Sequence, residues 1–283
     1  DIEKLADFRL KCKFFLSHNV LVIPTHRLKK NYMREICARI HMDASPVLKT
    51  LNFLPMTGNK IDEMQQRLLC EIQDNALETE TYTGRRSFSD TVMAALAHVP
   101  RHKFLPPGLK KIAYINRPQP IGFGQTISQP YIVAVMTDLL DLKPTDRVLE
   151  VGTGSGYQAA VLSGIADSVF SMESVKSLAE SAAERLKDLS LDNVKVRHGD
   201  GYKGWPEEAP FDAIMVTAAP VSIPQALCRQ LKGGGRMVVP VGPQYSTQLL
   251  KVGVKQDDGK VHFRTTLPVA FVPMVKMPDS TLN

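Results

Sequence analysis

RVLEVGTGSGYQ, residues 147–158, is the stretch of sequence that decides the fold. Its first half, with Val148, Leu149 and Val151, has the apolar side chains of a strand buried in a parallel sheet. Three alternate positions then lack a Cβ, which lets the backbone turn sharply and approach a ligand: Gly152, Gly154 and Gly156. A helix beginning at Tyr157 would point free amide groups at this loop. The stretch predicts either a nucleotide-binding loop or a close strand-to-helix turn without a ligand.

The glycine spacing and the acid before it distinguish between ligands. Dinucleotide-binding folds use G-x-G-x-x-G, with a pyrophosphate at the helix end. Here G-x-G-x-G begins two residues after Glu150, and a carboxylate at this position would repel a pyrophosphate. It suits a cationic or zwitterionic ligand, such as the aminocarboxypropyl sulfonium group of S-adenosylmethionine.

The composition of the 283 residues excludes several classes of protein. A hydrophobic content of 43% is ordinary for a globular protein with one large domain or two small ones. The four cysteines are widely spaced without a C-x-x-C, which favours a reducing compartment over a disulfide scaffold or zinc knuckle. The apolar runs are far shorter than the roughly 20 residues of a membrane-spanning helix. We expect a cytoplasmic protein without a membrane span, and a monomer.

The formal net charge of +6 is confined to one end of the chain. Residues 1–60 contain 11 Lys and Arg against 5 Asp and Glu, whereas residues 61–283 contain 24 of each kind. The main part of the chain therefore lacks the basic surplus that marks nucleic-acid binding. We divide the chain into a basic N-terminal extension, 1–60, of uncertain fold, and a main domain, 61–283. The extension is interpreted as a solvated accessory segment, with RNA or another acidic partner as the alternative.

Local patterns predict several elements before the main sheet. Residues 11–23 fit either a strand pair or a buried helix, and residues 28–40 have helical spacing. Residues 61–77 form a more convincing amphipathic helix, with Met64, Leu68, Leu69 and Ile72 on one side, and the polar residues 79–84 read as a loop.

A further helix is predicted from Asp90, as its cap, through Ala97, and Pro100 ends it. His98 and His102 have the four-residue spacing of two metal ligands on a helix. Pro100 breaks the helix between them, however, and no third ligand is near. We therefore predict no metal site.

The segment PIGFGQTISQPYIVAVMTDLLDL, residues 120–142, combines a flexible loop with a core-facing helix. From Ile132 onward its apolar residues follow helical spacing, and Pro130 fits the first turn. Ser128 stands just before this helix, which is where an N-cap belongs. A hydroxyl beside exposed helix amides is equally suited to receive a substrate carboxylate.

Strands and helices alternate after the glycine loop. The predicted strands span 168–172, 194–197, 211–217, 236–241 and a hairpin of 249–254 with 261–266, while 177–189 is a helix and 233–235 a turn. This order is typical of a doubly wound, Rossmann-like α/β sheet with helices on both faces and ligands at the carboxyl ends of the strands. Four polar residues fall at such ends: Glu150, Glu173, Asp200 and Thr217.

Two of these strand-end acids suit a nucleoside. Glu173 lies 17 residues beyond Gly156. A carboxylate at this distance can accept from both ribose hydroxyls of a nucleoside, and the alternative is that it only caps a helix. Asp200 can accept from an adenine amino group, while Gly201 leaves room for the ring.

Five motifs taken together resemble a known family: EVGTGSGYQ, ISQPY, RHGDGYKGW, FDAIMVTAAP and FVPMVK. They are similar to those of the bacterial protein-L-isoaspartate O-methyltransferases, within the class I S-adenosylmethionine-dependent superfamily. The resemblance runs from about residue 86 to residue 276 and leaves out residues 1–60. It implies methyl transfer from S-adenosylmethionine to the α-carboxylate of L-isoaspartyl residues in damaged proteins and peptides, whose ester then closes to a succinimide.

The resemblance also implies roles for individual residues. Ser128 is the active-site residue, and the cofactor is lined by Gln125, Thr126, Ile127, Ser128, Gly152, Gly154, Glu173, Asp200 and Gly201. To these we add the loop and strand-end residues Glu150, Gly156 and Thr217. The segments that enclose the peptide substrate contain Pro240, Val241, Gly242, Val272, Pro273 and Val275. An α-carboxyl with an ordinary pKa of about 3.3 to 3.7 is already ionised at neutral pH, so the reaction needs orientation and not a strong base.

Two other functions fit parts of the sequence. One is a methyltransferase of the same fold that acts on RNA or a small molecule. The absence of an N-P-P-[YF]-like motif where VTAAP stands argues against amino-group acceptors, and the neutral main domain argues against RNA. The other is a non-catalytic module that binds S-adenosylmethionine or nucleic acid, against which the intact loop and Ser128 both weigh.

Overall fold

The computed structural model describes residues 60–277. Apart from the first three, these residues belong to a unit that runs from Glu63 to Asn283. The predictions for residues 11–23 and 28–40 lie outside the described part, so the N-terminal extension and its boundary remain predictions. Between residues 60 and 277, no helix combines the length and apolar character needed to cross a bilayer.

The N-terminal helices form largely as predicted. Helix α1 (Lys60–Glu78) buries side chains on one stripe at intervals of four residues: Leu68, Ile72 and Ala76. The predicted loop at 79–84 is wrong, because α2 (Glu80–Thr83) forms there and ends at Gly84 in the left-handed conformation. Helix α3 (Asp90–His98) is also confirmed. Its N-cap is Ser89 and not Asp90, since the Ser89 side chain accepts from the Val92 amide.

Two 3₁₀ segments, Arg101–Phe104 and Pro107–Ile112, lead to a small hairpin of β1 (Gln119–Gly122) and β2 (Gln125–Ile127). Helix α4 (Pro130–Leu140) follows, and its N-cap residue is Gln129. The prediction that Ser128 is the N-cap is therefore wrong. The helix begins one residue later than that role requires, because Pro130 itself occupies the first helical position.

The main sheet has seven strands in the order β5-β4-β3-β6-β7-β8-β9. The strands are β3 (Arg147–Val151), β4 (Ser168–Glu173), β5 (Val194–His198), β6 (Phe211–Val216), β7 (Leu231–Val241), β8 (Gln248–Lys255) and β9 (Val261–Val269). The connecting helices are α5 (Tyr157–Ser163), α6 (Lys176–Asp188), the 3₁₀ segment Pro206–Glu208 and α7 (Gln225–Gln230). The first five strands in this order, from β5 across to β7, are parallel to one another. β8 is antiparallel to both of its neighbours, β7 and β9. The predicted doubly wound sheet, flanked by helices, is confirmed.

Strand β7 differs from the prediction at its start. It begins at Leu231, whereas the sequence predicts a turn at 233–235 and a strand only from Arg236. The glycines form an irregularity inside the strand: the partner of Phe211 is Leu231, but the partner of Ala213 is already Arg236. Gly234 permits this bulge, because its φ of 74° is in a region that glycine adopts readily.

The order of the strands determines where a ligand can enter. β3 lies between β4 and β6: the chain runs outward from β3 to β4 and β5 on one side, then returns from β5 to β6 on the other side of β3. In doubly wound sheets such a switch point opens a crevice at the carboxyl ends of the strands. One face of the sheet below it is closed by a buried apolar cluster that contains Leu149, Val151, Phe170, Met172, Ile214, Val216 and Met274.

Candidate functional site

A cavity of about 290 Å³ opens at the carboxyl ends of β3, β4 and β6. It brings together most of the residues that the sequence selects for the site. Those in its lining are Gln125, Thr126, Ile127, Ser128, Gly152, Gly154, Glu173, Gly201, Thr217, Val272, Pro273 and Val275. They come from six separate parts of the sequence, so only the folded sheet makes them neighbours.

The glycine loop is held in place by contacts that leave no room for a side chain. A Cβ at Gly152, where φ is 108°, would collide with the Thr217 hydroxyl. The Thr217 Oγ1 lies 2.6 Å from the Gly152 carbonyl oxygen and 3.0 Å from that of Val151, and it donates to these acceptors. Thr217 therefore lines the cavity and also fixes the conformation of the loop opposite it.

Glu173, at the end of β4, accepts hydrogen bonds from two separate backbone segments. Its Oε2 accepts from the Gly154 amide at 2.7 Å, and its Oε1 accepts from the Val175 amide at 2.9 Å. Val175 is the N-cap residue of α6, so the carboxylate ties the glycine loop to the start of this helix. Glu173 nevertheless remains in the lining of the cavity.

Gly201 forms part of the floor of the cavity, whereas the predicted site residue Asp200, next to it in the sequence, is not in the lining. Asp200 is 8% exposed, and its Oδ1 accepts from the Tyr202 amide at 3.0 Å. Its other oxygen, Oδ2, is buried without a hydrogen-bond partner. A Cβ at Gly201 would lie 2.5 Å from Cγ1 of Val151 and 3.0 Å from Cε of Met274. Asp200 thus carries an unused acceptor next in the sequence to a position that only glycine fits.

Glu150 is not where the sequence places it. The side chain is fully buried within the sheet and does not line the cavity. Its Oε2 accepts from the Ser171 hydroxyl, which also shares a hydrogen bond of 2.6 Å with Thr153 Oγ1. Burial raises the pKa of Glu150 to about 8, the Ser171 hydrogen bond partly offsets this, and the charge of Glu173 adds to it. At neutral pH the group is therefore mostly a neutral acid, which cannot act as the predicted carboxylate.

Gly156 also lies outside the cavity lining. It is the N-cap residue of α5, with a φ of 85°. A Cβ there would approach Leu186 and Ala182 of α6 to 3.3 and 3.4 Å. The close packing of α5 against α6 explains this glycine, because a Cβ there would meet side chains of α6.

The predicted substrate residues Pro240, Val241 and Gly242 line neither of the cavities described here. The first two end β7, where they pair with Leu250 and Leu249, and the Gly242 amide donates to the Pro220 carbonyl at 3.1 Å. These residues therefore support the neighbouring loop and do not themselves form a cavity wall.

The predicted segment around Val272 does reach the site. The Ala219 amide donates to the Val272 carbonyl at 2.8 Å, and the Met274 amide donates back to the Ala219 carbonyl at 2.9 Å. This short parallel pairing fixes the segment beside the end of β6. Val272, Pro273 and Val275 consequently close one side of the cavity.

A second cavity, of about 850 Å³, adjoins the first. The two share four lining residues: Thr126, Ser128, Thr217 and Val272. Its outer wall includes residues that the sequence did not single out, among them Tyr245, Ser246, Thr247 and Phe271. The only signal for the first three was their place just after the carboxyl end of a strand. Ser128 and Thr217 thus stand at the junction of an inner and an outer cavity.

Nothing in the described part of the chain, residues 60–277, groups three or more His, Cys, Asp or Glu side chains as a metal site would require. His102, which was considered as a ligand, instead has its Nδ1 2.9 Å from the Tyr114 hydroxyl, in a hydrogen bond.

Comparisons with known proteins agree on one family. The family model described as protein-L-isoaspartate(D-aspartate) O-methyltransferase matches residues 73–279. A Syntrophobacter fumaroxidans protein-L-isoaspartate O-methyltransferase 2 is 54% identical over 208 residues, which is 74% of this chain and 84% of that protein. A Polaromonas protein of the same name is 55% identical, over 72% of this chain and 97% of its own length.

Solved structures agree with the sequence comparisons. A protein-L-isoaspartate O-methyltransferase has a TM-score of 0.63 at 28% identity, over 74% of this chain and 65% of its own. A Plasmodium falciparum protein assigned to the same activity was crystallised with S-adenosyl-L-homocysteine. It has a TM-score of 0.62 at 26% identity, and the match covers 77% of this chain and all of that one.

Proposed function

The chain belongs to the protein-L-isoaspartate O-methyltransferase family, and from this membership we propose how its own residues carry out the reaction. The enzyme moves the methyl group of S-adenosylmethionine to L-isoaspartyl residues of damaged proteins. The inner cavity is the cofactor site, the outer cavity receives the isoaspartyl segment, and the two substrates meet at Ser128. The observation that supports this arrangement is that Ser128 and Thr217 line both cavities.

The residues that line the inner cavity, together with Asp200 next to the lining residue Gly201, fit S-adenosylmethionine. The partnerless Oδ2 of Asp200 is an acceptor suited to the adenine amino group, and the missing side chain of Gly201 leaves space beside it. Glu173, which lines the same cavity, would accept from the ribose hydroxyls, and the loop with Gly152 and Gly154 would lie against the aminocarboxypropyl group. When bound, the cofactor supplies an electrophilic methyl group on a sulfonium.

The protein's part in the reaction is to orient the acceptor and exclude water. The acceptor carboxylate is ionised at neutral pH and needs no general base. The first turn of α4 contributes little to holding it, because Pro130 has no N–H and the Tyr131 amide already donates to Asn116. The Ser128 hydroxyl is therefore the group we assign to orient the carboxylate, and the half-buried setting limits the water that competes for it.

Replacing Ser128 by alanine tests this assignment. Ser128→Ala should lower turnover on an isoaspartyl peptide about tenfold or more, because a misplaced nucleophile reacts slowly, while S-adenosylmethionine affinity stays within a few fold. The matched control is Ser163→Ala, which removes a hydroxyl that donates to the Ala160 carbonyl at 2.8 Å on α5. Steady-state kinetics and calorimetric titration with the cofactor distinguish the two. Full turnover by Ser128→Ala would rule out the assigned role.

The setting of the reaction belongs to the same proposal. A cytoplasmic, monomeric enzyme without a nucleic-acid partner is supported by the balanced charge of residues 61–283 and by the free thiols of Cys70 and Cys228. Residues 1–60 would form a separate basic accessory segment. Size-exclusion chromatography with light scattering, and a salt series of RNA-binding measurements on the full chain, test these statements.

A further inference from the structure

Arg101 carries a buried charge that the reaction described above does not use. The residue is 1% exposed. Its Nε donates to the Ala113 carbonyl at 2.9 Å, and its Nη2 donates to the Ser128 carbonyl at 2.7 Å. Its Cζ lies 4.7 Å from the centroid of the Tyr157 ring, and its Nη1 is buried without a hydrogen-bond partner.

Within residues 60–277 the guanidinium has no acidic counter-ion, since none of the ion pairs there involves Arg101. Its charge is balanced by two carbonyl oxygens and by the side chain of Tyr157. Burial lowers the pKa of Arg101 and the Tyr157 side chain partly raises it again, but a guanidinium remains a cation at neutral pH. Burying an unpaired cation is costly, so an anion that came within reach of this guanidinium would relieve part of that cost.

Arg147 shows what a structural arginine with the same contacts looks like. Its Cζ also lies 4.7 Å from a ring centroid, that of Phe170, and its Nη2 donates to the Glu208 carbonyl at 2.7 Å. Unlike Arg101, it forms an ion pair of 3.3 Å with the Glu208 carboxylate, and its side chain is 40% exposed. Arg147 therefore needs no further anion.

The position of Arg101 indicates which anion it serves. Its guanidinium is one hydrogen bond from Ser128, the residue at the junction of the two cavities, and it lies against Tyr157 in the wall of the inner one. A charge held there is poorly screened, because solvent does not reach it. The acceptor of the reaction proposed above presents a carboxylate to this junction.

We propose that Arg101 is a positioning residue of the reaction, which fixes the main chain of Ser128 and whose uncompensated charge draws the acceptor carboxylate to it. This inference rests on the proposed function. It predicts that the enzyme distinguishes a carboxylate from a neutral group of the same shape, and that Arg101 supplies much of the difference.

The experiment compares two peptides that differ at one group, an isoaspartyl peptide and its α-carboxamide, which is isoasparaginyl. Calorimetry on the full chain saturated with S-adenosyl-L-homocysteine gives the ratio of their dissociation constants without turnover. In Arg101→Met the preference for the carboxylate should fall on the order of tenfold. In the control Arg147→Met it should not change, even if the melting temperature falls.

Arg101→Lys keeps the charge but cannot reach both carbonyls, so it should retain the carboxylate preference within about threefold while turnover drops. It also tests the proposal if Arg101→Met does not fold. An unchanged preference in folded Arg101→Met, equal weakening of both peptides, or loss of the preference in folded Arg101→Lys would each overturn the inference. Methylation of the isoaspartyl peptide by the unmodified enzyme reports separately on the proposed function.

Discussion

Glu150 is the residue whose surroundings most change its chemistry. The sequence places an acid before the glycine loop, and the structure buries it between strands, bonded to Ser171. Its partnerless Oε1 and its raised pKa both indicate that it is held as a neutral acid at neutral pH. It therefore supports the loop from below, through Ser171 and Thr153, and does not attract a cationic ligand by its charge.

This burial has a consequence for stability against pH. The folded pKa of Glu150 is about 8, against an ordinary value of 4.5, so between these pH values the folded protein binds more protons than the unfolded chain. The free energy of unfolding then decreases as pH rises through that window, at up to about 1.4 kcal/mol per pH unit. Glu150→Gln removes this contribution, so the variant should gain stability relative to the unmodified protein between pH 5 and pH 8.

Urea denaturation of both proteins at pH 5 and pH 8 measures the effect. Glu184→Gln, an exposed site on α6, is the control and should leave the pH dependence unchanged. A Glu150→Gln protein whose stability changes with pH in parallel with that of the unmodified protein would show that Glu150 is ionised in the fold.

At the residue scale, the sequence predicts which residues share an edge where that follows from their place along a strand. Glu173 and Thr217 are predicted to be neighbours because strand ends in a parallel sheet share one edge, and both line the cavity. The sequence could not place Glu150, because which way a side chain leaves a strand buried on both faces is decided by neighbouring strands. The predicted N-cap role of Ser128 required helix α4 to begin at residue 129, whereas the helix begins at Pro130.

At the scale of elements, the segment between β5 and β6 makes the clearest demand on residue type. Gly201 lies where a Cβ would meet Val151 and Met274, so Gly201→Ala must push the floor toward the ligand. We expect the free energy of unfolding to fall by about 1 to 3 kcal/mol, the usual cost of overpacking, and S-adenosylmethionine to bind more weakly. Gly108→Ala is the matched control, since nothing lies within 4 Å of a Cβ there.

Calorimetric titration with the cofactor, together with melting temperatures, separates a changed site from a changed fold. If Gly201→Ala bound the cofactor as tightly as Gly108→Ala, the floor of the inner cavity would have to lie elsewhere.

Elements whose apolar residues recur at regular intervals could be predicted from the sequence. Elements that depend on hydrogen bonds to a neighbouring strand could not. Helix α1 shows its buried stripe in the sequence. The short helix α2 forms where a loop is predicted. The Thr83 amide donates to the Thr79 carbonyl and closes one helical turn, although the residues there are polar. The early start of β7 depends on pairing with β6 across a bulge, which no local pattern encodes.

At the scale of the whole molecule, the alternation of strands and helices was sufficient to predict the doubly wound sheet and the edge at which its ligands bind. The inner cavity followed from that topology. The outer cavity did not, because its walls come from loops around Tyr245 and Phe271 that are distant in sequence from Ser128. The description of one site as two adjoining cavities therefore required the folded chain.

The central claim is that the two cavities unite S-adenosylmethionine with an isoaspartyl carboxylate, and methyl transfer to a matched pair of peptides tests it most directly. One peptide contains isoaspartate and the other ordinary aspartate at the same place, and the methyl group of the cofactor is labelled. We predict base-labile label on the isoaspartyl peptide alone. Equal labelling of both peptides, or none on either while the cofactor still binds, would contradict the account.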